Sequence, residues 1–367
     1  MEKENISLGQ LLTLLINFLL GSAIVVGIGG DAKNDAWLAI GLSTFLGLGV
    51  IWFFHTLTNQ LEGKNLFQII EFCIGRKPAI ILTFLYIIYF IYISSRVVRD
   101  FGELMASAIM PNTPIEVVSI TLSLLMGYVI YLGIEVLART SEVFTPYLFI
   151  FYLLLAIFLF ASGNANIEQI QPILGEGVTP IFKTLFKDLI FFPFGELIAF
   201  TVIFSSVTNK KYSLRFSFIG VGIAAFLLMI ASFLMIITLG VDSMLRSNFP
   251  LLSTGRNISV GNFIERIDAL VVFIMMLGIF VKGTIFLFGG LKGLEYIFQL
   301  PYRYFVIPIS TLVALFSVLL SIDFADHIQE GLKMVPYYLH LPFQFCIPLI
   351  LFIFLLWKQK KKRSSSN

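Results

Sequence analysis

Charge is scarce in this chain, and so are the residues that build metal centres and disulfide frameworks. Of 367 residues only 13% are charged, against roughly 25% in a soluble domain. Hydrophobic residues make up 58%, and the mean hydropathy is +0.93. So little charge cannot cover a water-soluble globule, and the chain reads as a polytopic membrane protein. Two cysteines, Cys73 and Cys346, exclude a disulfide framework and a thiolate metal site. His55, His327 and His340 are the only histidines, none spaced as HExxH or set beside a cysteine pair, so no metal site is expected. Neither a phosphate-binding loop nor a GxSxG elbow occurs, so neither a cofactor nor an enzymatic activity is expected. A net charge of +3 is too small to argue for a nucleic-acid partner. The first apolar run has no basic leader and is followed by Gly29, Gly30 and Asp31, so no cleavable signal is expected.

What the chain has instead is apolar length. A helix needs about 20 residues to cross a hydrocarbon core of roughly 30 Å. Ten windows qualify, at about 8–30, 36–58, 78–104, 115–132, 143–162, 184–206, 213–240, 265–289, 304–321 and 337–357. They leave no room for a sizeable soluble domain, so residues 1–358 read as one transmembrane domain and 359–367 as a basic tail. With the N terminus in the cytoplasm, Lys3, Lys64, Arg76, Lys77, Arg139, Lys210, Lys211, Arg215, Lys292, Arg303 and the five basic residues of Lys358 to Arg363 fall inside, 15 of 25. Both termini are therefore expected to be cytoplasmic, with the tail acting as a stop and lipid-facing anchor. Asn65 to Gly75 and Leu291 to Leu300 carry apolar residues at helical spacing and read as interfacial helices on the cytoplasmic side. Asn166 to Thr184 and Asp242 to Asp268 are long connections outside.

Two spans carry residues that a membrane helix tolerates poorly. The first contains Gly21, Ser22 and Ala23 about fourteen residues, or roughly 21 Å of rise, from its start. The sixth contains Pro193, Gly195 and Glu196 in FFPFGELIAF, with Pro193 and Gly195 roughly 15 Å in from its outer end. An unwound helix bares N–H and C=O groups that hydrocarbon cannot satisfy, so something polar must stand near them. Transporters built from inverted repeats bind substrate at the midplane between such discontinuous helices. Spans one and six open the first and second five of the ten, which places the breakers at corresponding positions in halves of about 8–162 and 184–357. The plainer account is that Gly and Pro are common in membrane helices as packing and kinking residues. Glu196 should point into the bundle, either as a titrating or ligand-orienting group or as a hydrogen-bond partner for bare backbone.

The third span reads YIIYFIYISSRVVRD, with Tyr86, Tyr89, Tyr92 and Ser95 on one face. Ligand contact through the hydroxyls is one reading, and packing with satisfied O–H groups is the preferred one. Arg96 with Asp100 and Arg99 with Glu103 have i, i+4 spacing and are expected to pair along a solvated vestibule wall.

GSAIV in the first span resembles the unwound GSGIF-type segment of the amino acid/polyamine/organocation transporters. FPFGE in span six, FPLLSTGRNISVGNFIERID from Phe249 to Asp268, the ten spans and the short basic tail resemble the B subunits of bacterial spore germinant receptors. The resemblance covers nearly the whole chain. It implies an all-α, LeuT-like fold of five-plus-five inverted repeats with discontinuous helices 1 and 6. Also implied are a spore inner membrane location, A and lipoprotein C subunits as partners, and a small nutrient, such as an amino acid, as ligand. Ala23 stands where the second glycine of GSG is expected, which implies a narrower opening there. Candidate ligand contacts are Gly21, Ser22, Ala23, Tyr92, Phe194, Gly195, Glu196, Leu197 and Thr284. Thr284 alternatively bonds its own helix. Lys282 in span eight is read first as snorkelling to the inner interface; the alternative is that its ammonium occupies the place of the sodium that related transporters hold between spans one and eight. The leading function is a nutrient sensor triggering germination. The competitors are a proton-coupled amino acid transporter with Glu196 as carrier, and a scaffold or channel-forming subunit.

Overall fold

The computed structural model describes the chain apart from residues 1–3, 62, 261–263, 266 and 365–367, together with the side chains of 260, 264, 265 and 361–364. Lys3, the middle of the Phe249–Asp268 signature and the end of the basic tail therefore lie outside the described residues. Among the described residues ten helices are long and apolar enough to cross a membrane. Spans one to five are Leu8–Val26, Gly30–Asn59, Arg76–Ile109, Ile115–Leu132 and Ile134–Ser162. Spans six to ten are Thr179–Ser206, Lys210–Arg246, Asp268–Phe298, Tyr302–Leu319 and Pro336–Lys360.

Local chemistry sets several of these boundaries. Span one starts at a capping box in which the Ser7 hydroxyl accepts from the Gln10 N–H at 3.2 Å and the Gln10 side chain accepts from the Ser7 N–H at 3.0 Å. It ends where Gly27 turns left-handed at φ 69°. Gly133, at φ 126°, makes the turn between spans four and five. Span five therefore begins about nine residues earlier than hydropathy suggests, because its polar first turns are helical and carry the Glu135–Arg139 pair.

The two connections expected to be interfacial helices differ from expectation in one half. Asn65 caps a separate helix, Leu66–Ile74, as expected. Leu291 to Leu300 is not a separate helix: span eight runs unbroken through Gly289 and Gly290 to Phe298, where Gln299 turns left-handed at φ 56°. The long connection after span seven folds as a short helix, Pro250–Arg256, and a two-stranded hairpin pairing Ser259 with Glu265.

Spans one, six and eight form the inside of the bundle, each with 78% of its apolar window buried, whereas spans five and ten have 28%. Span eight packs along spans three and one, span seven along spans one and two, and span nine along span four. The foot of span one is tied to the end of span six by Ile6 N–H to Ser206 C=O at 2.9 Å and Thr208 N–H to Ile6 C=O at 3.1 Å. The large exposed hydrophobics, including Phe45, Ile81, Leu153, Ile307 and Ile353, lie on the outside of the bundle, as a lipid-facing surface requires.

Candidate functional site

Both expected interruptions are present. In span one a single residue, Gly21, leaves helical geometry (φ 0°, ψ −122°) and the helix resumes to Val26. In span six the break falls at Phe192 (φ −131°, ψ 116°) rather than at Pro193 or Gly195. Proline has no N–H to give and biases the preceding residue away from helical geometry, so the residue that moves is the one before it. Gly195 itself is helical, at φ −63°, and opens a narrow 3₁₀ turn, Gly195–Ala199, before the α-helix returns at Phe200.

Lys282 stands between the two interruptions. Its stem lies against Gly21, where an added Cβ would sit 2.5 Å from the Lys282 Cδ. Its ammonium is 2.6 Å from the Glu196 carboxylate and 4.4 Å from the centre of the Phe192 ring, with Phe18 at 5.6 Å. The side chain is 0% exposed and that of Glu196 4%. Snorkelling is thus overturned: glycine on span one leaves room for the stem, and the carboxylate and ring faces receive the charge inside the bundle.

Beside this pair is a chamber of about 50 Å³ whose walls include Ser22, Arg96, Asp100, Glu196 and His340, together with the apolar Val26, Phe192, Ile328 and Leu332. A cavity needs about 10–15 Å³ to hold one water, so in this state the chamber is sized for a few waters. The same four apolar residues also line a vestibule of about 440 Å³, whose other walls carry Asp31, Lys187, Asp188, Arg246 and Lys333.

One of the two charge pairs that spacing suggests in span three forms, and the other does not. Arg99 and Glu103 meet at 2.6 Å as expected. Arg96 instead reaches Glu330 at 3.0 Å and the His327 carbonyl at 2.5 Å, and Asp100 meets His327 Nε2 at 2.8 Å. Arg96, Arg99 and Asp100 are all buried, so this stretch is not the solvated wall expected: the connection between spans nine and ten folds over it and supplies partners. Gly331 permits that approach, since a Cβ there would lie 2.3 Å from the Arg96 guanidinium.

Of the candidate contacts, Ser22 and Glu196 line the chamber, while Gly21 takes the stem of Lys282, the partner of Glu196. The others stand elsewhere. Tyr92 donates to Glu330 at 3.1 Å. Thr284 donates to the Phe280 carbonyl of its own helix at 2.6 Å. Phe194 is packed against Gly47 of span two, Ala23 and Leu197 are core residues, and Gly195 faces the Gln344 amide of span ten. Tyr86 and Tyr89 have satisfied hydroxyls: Tyr86 donates to the Phe343 carbonyl at 2.8 Å, and Tyr89 meets His340 Nδ1 and Gln344 Nε2, each at 3.0 Å. Sequence reasoning missed His340, His327 and Gln344 as members of the site. The available signal was their position within or beside membrane spans, where polar residues are expensive and functional by default; a search for metal spacing passes over them.

Comparison with known proteins agrees with this architecture. The family model described as spore germination protein matches residues 5–324. The chain is 32% identical to Spore germination protein KB of Bacillus subtilis (strain 168) over 373 residues, covering 100% of this chain and 99% of that protein. It is 24% identical to Spore germination protein A2 of the same organism over 344 residues, covering 90% and 93%. Among solved structures, MhsT in complex with L-phenylalanine superposes with a TM-score of 0.71 at 14% identity, covering 97% of this chain and 88% of that one. Mhp1, a nucleobase-cation-symport-1 family transporter in a closed conformation with bromovinylhydantoin bound, gives 0.70 at 11%, covering 93% and 78%. These likenesses show the LeuT-like fold. With an architecture of interrupted first and sixth helices and a family match over most of its length, the chain belongs to the spore germination protein family of integral membrane proteins.

Proposed function

We propose that this chain is the nutrient-sensing membrane subunit of a spore germinant receptor, seated in the spore inner membrane with both termini in the cytoplasm and the A and C subunits as partners. A small germinant, an amino acid, enters through the vestibule and binds between the interrupted segments of the two halves, residues 8–162 and 184–357. The observation that carries this reading is the small chamber where both interruptions meet, with cationic and anionic side chains on its walls. An amino acid does not fit a space of about 50 Å³, so it must bind a conformation in which Phe192, Ile328 and Leu332 have moved apart. A ligand that fits one state and not the other shifts the equilibrium between them, by about 1–3 kcal/mol in typical coupled systems. Partner subunits then read the shift. A solved structure of this fold holding L-phenylalanine supports the ligand class.

The Lys282 ammonium takes the part of the coupling cation of sodium-dependent transporters: it packs on span one at Gly21 and neutralises Glu196. That arrangement favours a sensor over a proton-coupled amino acid transporter, because a proton arriving at Glu196 would have to displace a fixed charge. The test is a panel of amino acids and sugars applied to the full-length chain, with binding and liposome uptake followed together. Binding without uptake under an imposed pH gradient supports the sensor; uptake that follows the gradient supports the transporter. Binding that ignores both Ser22→Val and Glu196→Gln, while those variants alter ion flux, supports a channel-forming subunit with the nutrient held elsewhere.

A further inference from the structure

His340 is one of two imidazoles on the chamber wall, and unlike His327, which is taken by Asp100, it has only neutral side chains as hydrogen-bond partners. Tyr89 has a single hydroxyl proton. The Gln344 amide nitrogen donates to that oxygen at 3.0 Å, so the hydroxyl proton is free to go to His340 Nδ1, also at 3.0 Å. With the amide nitrogen of Gln344 turned toward Tyr89, Nδ1 is the acceptor and the imidazole carries its proton on Nε2. The Tyr89 ring, stacked on Phe343 with centroids 4.9 Å apart and 8° between planes, holds the hydroxyl in place. Gln344 is fixed in turn by the room that Gly195 leaves for it. No described residue accepts from Nε2, and the ring forms part of the chamber wall.

We infer that His340 is a ligand-contacting residue, its Nε2–H a donor to the carboxylate of the amino acid, with Tyr89 and Gln344 as positioning residues that fix the tautomer. A carboxylate is the ligand group that fits: it only accepts hydrogen bonds, and Arg96, which also lines the chamber and is paired with Glu330, adds positive charge nearby. The ligand's ammonium then turns toward the side bearing Asp100 and Glu196. This assignment rests on the proposed binding of an amino acid in the chamber, and it predicts discrimination between an acid and its neutral amide. A site that hydrogen-bonds a particular ligand group rejects the analogue lacking it because its own polar atoms are left unpaired.

The experiment measures binding of L-alanine, L-valine and L-phenylalanine, and of the three corresponding amides, to the full-length chain in nanodiscs. His340→Asn keeps a polar atom near Nδ1 for Tyr89 and removes the donor from the chamber; His340→Gln returns a donor near the Nε2 position. The expected result is at least a tenfold loss of affinity for the best-bound acid in His340→Asn, a collapse of the acid-over-amide preference, and recovery of most of both in His340→Gln. Should His340→Asn fail to fold by thermal melting, Tyr89→Phe decides: the ring keeps its bulk, the tautomer loses its partner, and the preference is expected to fall at least threefold. An unchanged acid-over-amide preference in the variant that folds overturns the assignment. Wild-type binding that responds to Ser22→Val but not to the His340 or Tyr89 variants overturns the assignment alone. A wild-type chain that binds no member of the panel overturns the proposed function and the assignment with it.

Discussion

The two interruptions use one device with opposite chemistry. At each, a glycine admits a long polar side chain from a helix of the second half: Gly21 takes the Lys282 stem from span eight, and Gly195 takes the Gln344 amide from span ten. In span one the visitor is charged and the backbone departs from helical geometry at the glycine itself. In span six the visitor is neutral, the glycine stays helical, and the backbone departs three residues earlier, ahead of Pro193. A glycine in a membrane helix can therefore mark a break or mark a guest, and only the atoms across the interface tell which.

The most severe way to break this comparison is to remove the charged guest. Lys282→Met leaves Glu196 buried without its counter-charge, and losing one partner of a buried pair destabilises by about 3–5 kcal/mol. The double variant Lys282→Met/Glu196→Leu is expected to recover most of that loss; thermal unfolding in detergent provides the cycle, and a double variant no better than the single would deny the pairing. Next come the two glycines. Gly21→Ala and Gly195→Ala place a Cβ 2.5 Å from Lys282 Cδ and 2.1 Å from Gln344 Oε1, and overpacking of this kind costs about 1–3 kcal/mol. Shortening the guest should relieve the neutral site, so Gly195→Ala/Gln344→Ala is expected to melt above Gly195→Ala. Gly21→Ala/Lys282→Ala is expected to stay low because Glu196 is then orphaned. Equal rescue at both sites would erase the distinction between them.

Thr284→Val marks the smaller end of the scale. It removes one hydrogen bond within span eight, worth about 0.5–1.5 kcal/mol, and is expected to leave ligand affinity unchanged; a tenfold change would return Thr284 to the chamber. Smallest of all is a difference in rate. Cys73, on the helix between spans two and three, is buried, and burial raises its thiol above the usual cysteine range while the nearby Lys358 works in the other direction. Alkylation needs the thiolate, so maleimide should label Cys73 more slowly than a free thiol at pH 8 and speed up as pH rises; labelling at the rate of an exposed thiol would place this helix away from the bundle.

Much of the architecture is legible in the sequence because lipid simplifies the code. Long apolar runs are helices, and Gly21 and Pro193 announce themselves as exceptions to them. Legibility ends where a residue's meaning depends on a partner far along the chain. Arg96 and Asp100 have the spacing of a helical pair, yet each bonds across to the connection after span nine, through Glu330 and His327. Lys282 has the makings of a snorkelling residue until Gly21 and Glu196 are seen beside it. Leu291 to Leu300 has helical periodicity because it is helical as far as Phe298, as the continuation of the span before it rather than a separate interfacial helix. Periodicity reports that a segment is helical but not where the preceding helix stops.

The tethering of Lys282 has a bearing on how long such a molecule can wait. A cation drawn from solution occupies its place only as often as the surrounding salt allows, so a threshold built on it drifts whenever the medium is diluted or dried. An ammonium carried on a covalently attached side chain has a local concentration that no rinse can lower. For the sensor proposed above, a lysine held against Gly21 and Glu196 would give a setting that does not change with the salt around it.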